Sequence, residues 1–162
     1  MKKIIIILFI LIFNSYSYSN EIKFIDLQFL LNNSKLYQSI DSSLIEANNK
    51  IKAELQLKES KIKKKENELI SKRKIISEEE FNKEVLALNK ELKNYNDERS
   101  NILNDFNLKK ENEYKKFYNK LNQVLIEYSK KENLDIIIDK KYILISRSDD
   151  DITKSVLKLM NN

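Results

Sequence analysis

The chain has 162 residues, 41% of them hydrophobic and 34% charged, with a formal net charge of +5, a balance that suits one folded unit and excludes a wholly disordered chain. It contains no Cys and no His, which removes disulfides, thiolate nucleophiles, imidazole bases and the usual zinc ligands. Gly and Pro are also absent, so turns must be built by Ser, Asn and Asp, and nothing in the composition interrupts a long helix.

At the start, Lys2 and Lys3 precede an unbroken apolar run over residues 4–13. That run is too short for a hydrocarbon core of about 30 Å. With the small residues Ser17 and Ser19 following it, the pattern predicts a secretory signal over residues 1–19, cleaved near Ser19/Asn20. Removal of Lys2 and Lys3 lowers the formal charge from +5 to +3.

Residues 22–27 then read as a short strand, followed by a helical turn carrying Phe29, Leu30 and Leu31. Residues 34–130 are helix formers without a breaker. In the first half Leu55, Ile62, Leu69 and Ile76 recur every seven residues, but the companion positions Lys58, Lys65 and Lys72 are charged, so the apolar seam is thin. In the second half Phe81, Val85, Leu88, Leu92, Tyr95, Ile102 and Phe106 keep three-four spacing, which Phe117, Leu121, Val124 and Tyr128 resume after a shift. Between the halves, "ISEEEF" offers Ser77 and Glu80 as a capping box and Ile76 and Phe81 as a staple, and predicts that the chain reverses there. Further on, "LDIIID" at 134–139 and "YILIS" at 142–146 read as a strand hairpin joined by Lys140 and Lys141. Asp151 is the expected cap of a last helix over residues 152–160, with Asp149 and Asp150 at its positive end.

The expected fold class is therefore α+β. A small mixed strand and helix body, residues 20–43 and 131–162, carries a long antiparallel two-helix coiled-coil arm, residues 44–130. Its expected core comprises Ile22, Phe24, Ile25, Leu27, Ile136, Ile137, Ile138, Ile143 and Ile145. Such a body is marginal alone, which points to oligomerisation through the sheet.

Two features of the arm suggest contact surfaces. Residues 58–74 hold eight basic side chains (Lys58, Lys61, Lys63, Lys64, Lys65, Lys72, Arg73 and Lys74) against three acidic ones. A basic arm tip attracts acidic polypeptides or an anionic membrane surface. Nucleic acid is not an expected partner, because export removes the chain from it and no recognition helix or aromatic platform is present. The aromatic residues Tyr95, Tyr114, Phe117 and Tyr118 exceed what one seam hides and are candidates to face a client. No catalytic residue, metal site or cofactor is expected. An alternative use of the same arm is a non-enzymatic coiled-coil tether or spacer in the cell envelope.

The segments "IKFIDLQFLLNNS" at 22–34, "ISEEEF" at 76–81, "EYSKKENLDIIIDKKYILIS" at 127–146 and "DDDITKSVLKLMNN" at 149–162 resemble, in matching order, elements of the Skp/OmpH family of periplasmic chaperones. The resemblance implies a jellyfish-shaped homotrimer whose helical tentacles enclose a cavity. It also implies an ATP-independent holdase that keeps unfolded outer-membrane proteins from aggregating before insertion. Asn133 departs from the Gly that family members often place before the second strand, and Asn also tolerates a left-handed helix end.

Overall fold

The computed structural model describes residues 21–162. The expected signal, residues 1–19, lies outside the described residues. The described chain is a mostly helical small domain with one parallel two-stranded sheet.

Strand β1, Ile22–Ile25, ends at Asp26, whose carboxylate accepts a hydrogen bond from the Phe29 backbone N–H at 2.9 Å and so starts helix α1, Leu27–Asn33. Ser34 does the same for helix α2, Lys35–Lys72, accepting from the Tyr37 N–H at 3.4 Å. As the sequence predicts, the chain turns at Ser77. Its hydroxyl accepts from the Glu80 N–H at 3.3 Å, and helix α3, Glu78–Glu132, begins there. Glu78, Glu79 and Glu80 occupy the first turn of α3 and Lys130 and Lys131 the last, each complementing the helix dipole. At 1.5 Å per residue α2 spans about 57 Å and α3 about 82 Å. Helix α3 stops at Asn133, whose φ of 53° and ψ of 46° are left-handed, and the Leu134 N–H closes the end on the Ser129 carbonyl at 2.9 Å.

That turn delivers strand β2, Ile136–Asp139, alongside β1. The two run parallel, with Ile22 opposite Ile136, Lys23 opposite Ile137, Phe24 opposite Ile138 and Ile25 opposite Asp139. Parallel neighbours need a long connection, and here the α2–α3 hairpin supplies it. The expected second strand at 142–146 does not form. Asp139 instead accepts from the Lys141 N–H at 3.3 Å, and Lys140–Tyr142 becomes a 3₁₀ turn that directs the chain away from β2. Leu144 and Ile145 consequently stand 101% and 93% exposed, so Ile145 is no part of this chain's core, and Ile143 lies beyond the sheet.

The last helix, α4, spans Thr153–Met160. Asp151 accepts from the Thr153 N–H at 2.9 Å, but Ile152 occupies the cap position because its own N–H is bound to the Phe24 carbonyl at 3.0 Å. Asp149 and Asp150 belong to the 3₁₀ turn Ser148–Asp150 and not to α4, and Asp150 pairs with Lys23 at 3.0 Å.

The core is centred on helices more than on the sheet. Ile25, Leu30, Ile40, Leu44, Phe117, Leu121, Val124, Ile152, Val156 and Met160 form one buried cluster where the roots of α2 and α3 meet α1, β1 and α4. Phe24 is buried too, whereas Ile22 and Ile136 are exposed and Leu27, Ile137 and Ile138 half-buried. The sequence overstated the sheet's share because two strands offer little apolar area, while α4 lays Val156 and Met160 against the helix roots.

Asp26 ties the two ends of the chain together. Its N–H donates to the Thr153 hydroxyl at 2.8 Å and its carboxylate pairs with Lys140 at 3.3 Å. The Phe29 N–H, followed by Lys140, holds the Asp26 carboxyl below the ordinary carboxylate range. A carboxyl depressed on folding contributes stability above its unfolded pKa and loses it as pH falls through its folded pKa. Asp26→Asn keeps a capping side chain without the charge. Urea unfolding is therefore expected to show the wild type more stable near neutral pH, with the gap closing as pH falls below the ordinary carboxylate range. A gap that stays constant removes the charge from this role.

Candidate functional site

Beyond the core, α2 and α3 continue side by side as a hairpin. Leu55, Ile62 and Leu69 are buried along α2, against a half-buried row on α3 that includes Val85, Leu88, Leu92 and Tyr95. The lysines that thin the seam in the sequence have partners across it. Lys58 meets Glu98 at 2.6 Å, Lys65 meets Glu91 at 2.7 Å and Lys72 meets Glu84 at 3.2 Å. Each step of seven up α2 matches a step of seven down α3, which fixes the helices as antiparallel and in register. Lys58 also reaches Glu54 at 2.9 Å, and the bonds to Glu98 and then Glu54 raise its pKa.

This ladder alters the electrostatic reading of the tip. Residues 58–74 hold eight basic and three acidic side chains, but residues 75–98, folded back beside them, hold three basic and seven acidic. The folded distal hairpin thus carries a net charge of only +1. Lys64 lies 3.9 Å from Glu68, and the Arg73 guanidinium sits 5.7 Å above the Phe81 ring. Among the described residues Lys61, Lys63 and Lys74 form no ion pair. Glu84, Glu91 and Glu98 escaped the sequence reading because charge was counted along one helix. Their spacing of seven, matched in reverse to Lys58, Lys65 and Lys72, was the available signal.

The four aromatic candidates separate. Tyr95 is half-buried and its hydroxyl donates to the Leu55 carbonyl at 3.4 Å. Tyr114 is also half-buried and stacks on Tyr37, with ring centroids 5.6 Å apart. Phe117 is 0% exposed and meets Tyr37 and Tyr118 edge-on at 5.3 and 5.4 Å. It is a core residue and does not face solvent, since it begins the buried row continued by Leu121 and Val124. Tyr118, 48% exposed, is the most open of the four.

Among the described residues no group of three or more His, Cys, Asp or Glu is placed to hold a metal ion, and no helix is long and apolar enough to cross a membrane. Available for binding are an elongated hairpin and, in the body, the exposed apolar segment at 142–145 beside the sheet.

The family model described as "Outer membrane protein (OmpH-like)" matches residues 21–160. No curated protein matches the chain. Among solved structures, an OmpH-like protein from Caulobacter crescentus shares the fold with a TM-score of 0.79 at 13% identity, over 87% of this chain and 83% of that one. With the family match running from the start of β1 to the end of α4, the chain belongs to the OmpH/Skp family of periplasmic chaperones, which are not enzymes.

Proposed function

We propose that the protein is an ATP-independent periplasmic holdase that binds unfolded outer-membrane proteins and prevents their aggregation before insertion. In this reading residues 1–19 are an export signal cleaved near Ser19/Asn20, residues 20–43 and 131–162 form the body, and residues 44–130 form a coiled-coil arm. Three copies assemble through their bodies, and their arms enclose the client. The observation that carries the reading is the hairpin itself. Its distal half is held by a narrow row of buried residues and a ladder of exposed ion pairs, far too little contact to explain its length by stability. Such length serves reach.

The body supports assembly from its side. One edge of β1 is taken by β2 and the other is partly taken by the bridge between Phe24 and Asp151, while the outer edge of β2 has no strand beside it among the described residues. An open edge beside the exposed apolar residues Tyr142, Leu144 and Ile145 is the place where another copy gains both strand pairing and buried area. Within the distal arm, Lys61, Lys63 and Lys74 of α2, together with Lys83, Lys90 and Lys93 of α3, carry charge still available for acidic segments of a client or for an anionic membrane surface, and Tyr118 is the client-facing aromatic.

A membrane barrel in urea, diluted into the mature protein, is expected to stay soluble at one assembly per barrel, with light scattering giving a mass of three copies alone and three copies plus one barrel together. Aggregation that proceeds unchanged removes the holdase reading. A tight complex with a folded envelope protein and none with the barrel favours the tether instead.

A further inference from the structure

The hairpin has two unlike flanks. On one, the Lys58, Lys65 and Lys72 side chains are bound to Glu98, Glu91 and Glu84 at 2.6 to 3.2 Å. The opposite flank follows from helical spacing. On α2 it is formed by the residues next after the buried row Leu55, Ile62 and Leu69, namely Gln56, Lys63 and Ile70. On α3 it is formed by those next after Phe81, Leu88 and Tyr95, namely Asn82, Asn89 and Asn96. All six are exposed, Ile70 by 64%, and only Lys63 carries charge. On α3 this side repeats a primary amide every seven residues and carries no acidic side chain from Asn82 to Asn96, while on α2 it also includes Glu59 and Glu66, one turn after Gln56 and Lys63.

We infer that this amide flank is the surface on which the arm holds an extended, unfolded polypeptide. The inference rests on the holdase reading and specifies which face of the arm meets the client. An unfolded barrel strand presents unpaired backbone N–H and C=O groups together with apolar side chains. Each Asn offers both two N–H donors and a carbonyl acceptor, so it can bond such a backbone in either direction and without regard to sequence. Ile70 adds an apolar contact and Lys63 a positive charge. From Asn82 to Asn96 the flank runs about 21 Å along the helix, the reach of about six residues of extended chain. The ladder flank is unsuited to this work. A client lying there must displace lysines from glutamates already in contact, or set its apolar side chains against alternating charges. Exposed amide contacts are individually weak because water competes for them, which lets a held chain keep moving along the flank.

Site-specific photo-crosslinking in the full mature chain tests the assignment. A crosslinking residue is introduced at Asn89, on the amide flank, in one variant and at Ala87, exposed on the ladder flank, in another, with a urea-diluted outer-membrane barrel as the probe. Adducts are expected to form several-fold more from position 89 than from position 87. In parallel, the near-isosteric triple change Asn82→Asp, Asn89→Asp and Asn96→Asp is expected to weaken barrel binding about tenfold. Exchanging the two ladder pairs that have no further partner (Lys65→Glu and Lys72→Glu with Glu91→Lys and Glu84→Lys) is expected to leave binding within about twofold, because the pairs re-form in reverse. Equal adducts at the two positions, or a larger loss from the ladder exchange, overturn the flank assignment while suppression of aggregation by the unmodified protein leaves the holdase reading standing. Absence of that suppression overturns both.

Discussion

Phe117→Ala is expected to destabilise the protein by about 3–5 kcal/mol, a large share of the 5–15 kcal/mol typical of a whole domain. The ring is fully buried and sits where α2 and α3 leave the body, edge-on to Tyr37 and in one cluster with Leu30, Val124 and Val156. Cutting it to a methyl group removes buried apolar area and leaves a cavity between helices that cannot close freely, since both are fixed above and below by their own packing. Tyr118→Ala, one residue along, removes a ring that is 48% exposed and is expected to cost about 1 kcal/mol or less. Urea unfolding followed by circular dichroism compares the two. Equal losses contradict the assignment of Phe117 to the core. The pair also separates stability from binding, because a weaker client complex in folded Tyr118→Ala protein reports on an open aromatic surface.

How far the sequence revealed this arrangement depends on what each signal measures. Ser77 followed by Glu80 is a local signal, and its hydrogen bond is present at 3.3 Å because capping needs nothing beyond a few residues. The meeting of residues 22–25 with residues 136–139 follows once that turn exists, since the returning helix carries one strand back to the other. Residues 142–146 misled because an apolar, β-branched run states only that the segment suits a sheet, not whether its partner lies in the same chain. The basic tip misled for a related reason. Charge counted along α2 describes an isolated helix, whereas Glu84, Glu91 and Glu98 arrive from the returning one. Phe117 kept the spacing of a seam residue throughout, and its burial was legible from Leu121 and Val124 behind it. What the sequence withheld in each case was the identity of the neighbour.

Ile62→Asp is expected to unzip the distal hairpin while the body stays folded. Ile62 is the middle member of the buried row Leu55, Ile62 and Leu69, the part of α2 that packs on α3 beyond the core cluster. A carboxylate there loses most of its hydration and has no cation placed to replace it, because Lys58 and Lys65 are held by Glu98 and Glu91. The cost, several kcal/mol for a buried unpaired charge, exceeds what so thin a seam can spare. The loss stays local because Phe117, Tyr114 and Tyr37 close the hairpin at its root independently of what happens above. Hydrogen exchange is expected to show amides of residues 50–106 losing protection while those of residues 117–124 and 153–160 keep it, with the mass measured by light scattering unchanged. Suppression of barrel aggregation should vanish with the arm. Loss of protection throughout the chain shows instead that arm and body fold as one unit. Retained suppression with an unprotected arm transfers client binding to the body, because a frayed hairpin presents neither flank as a continuous surface.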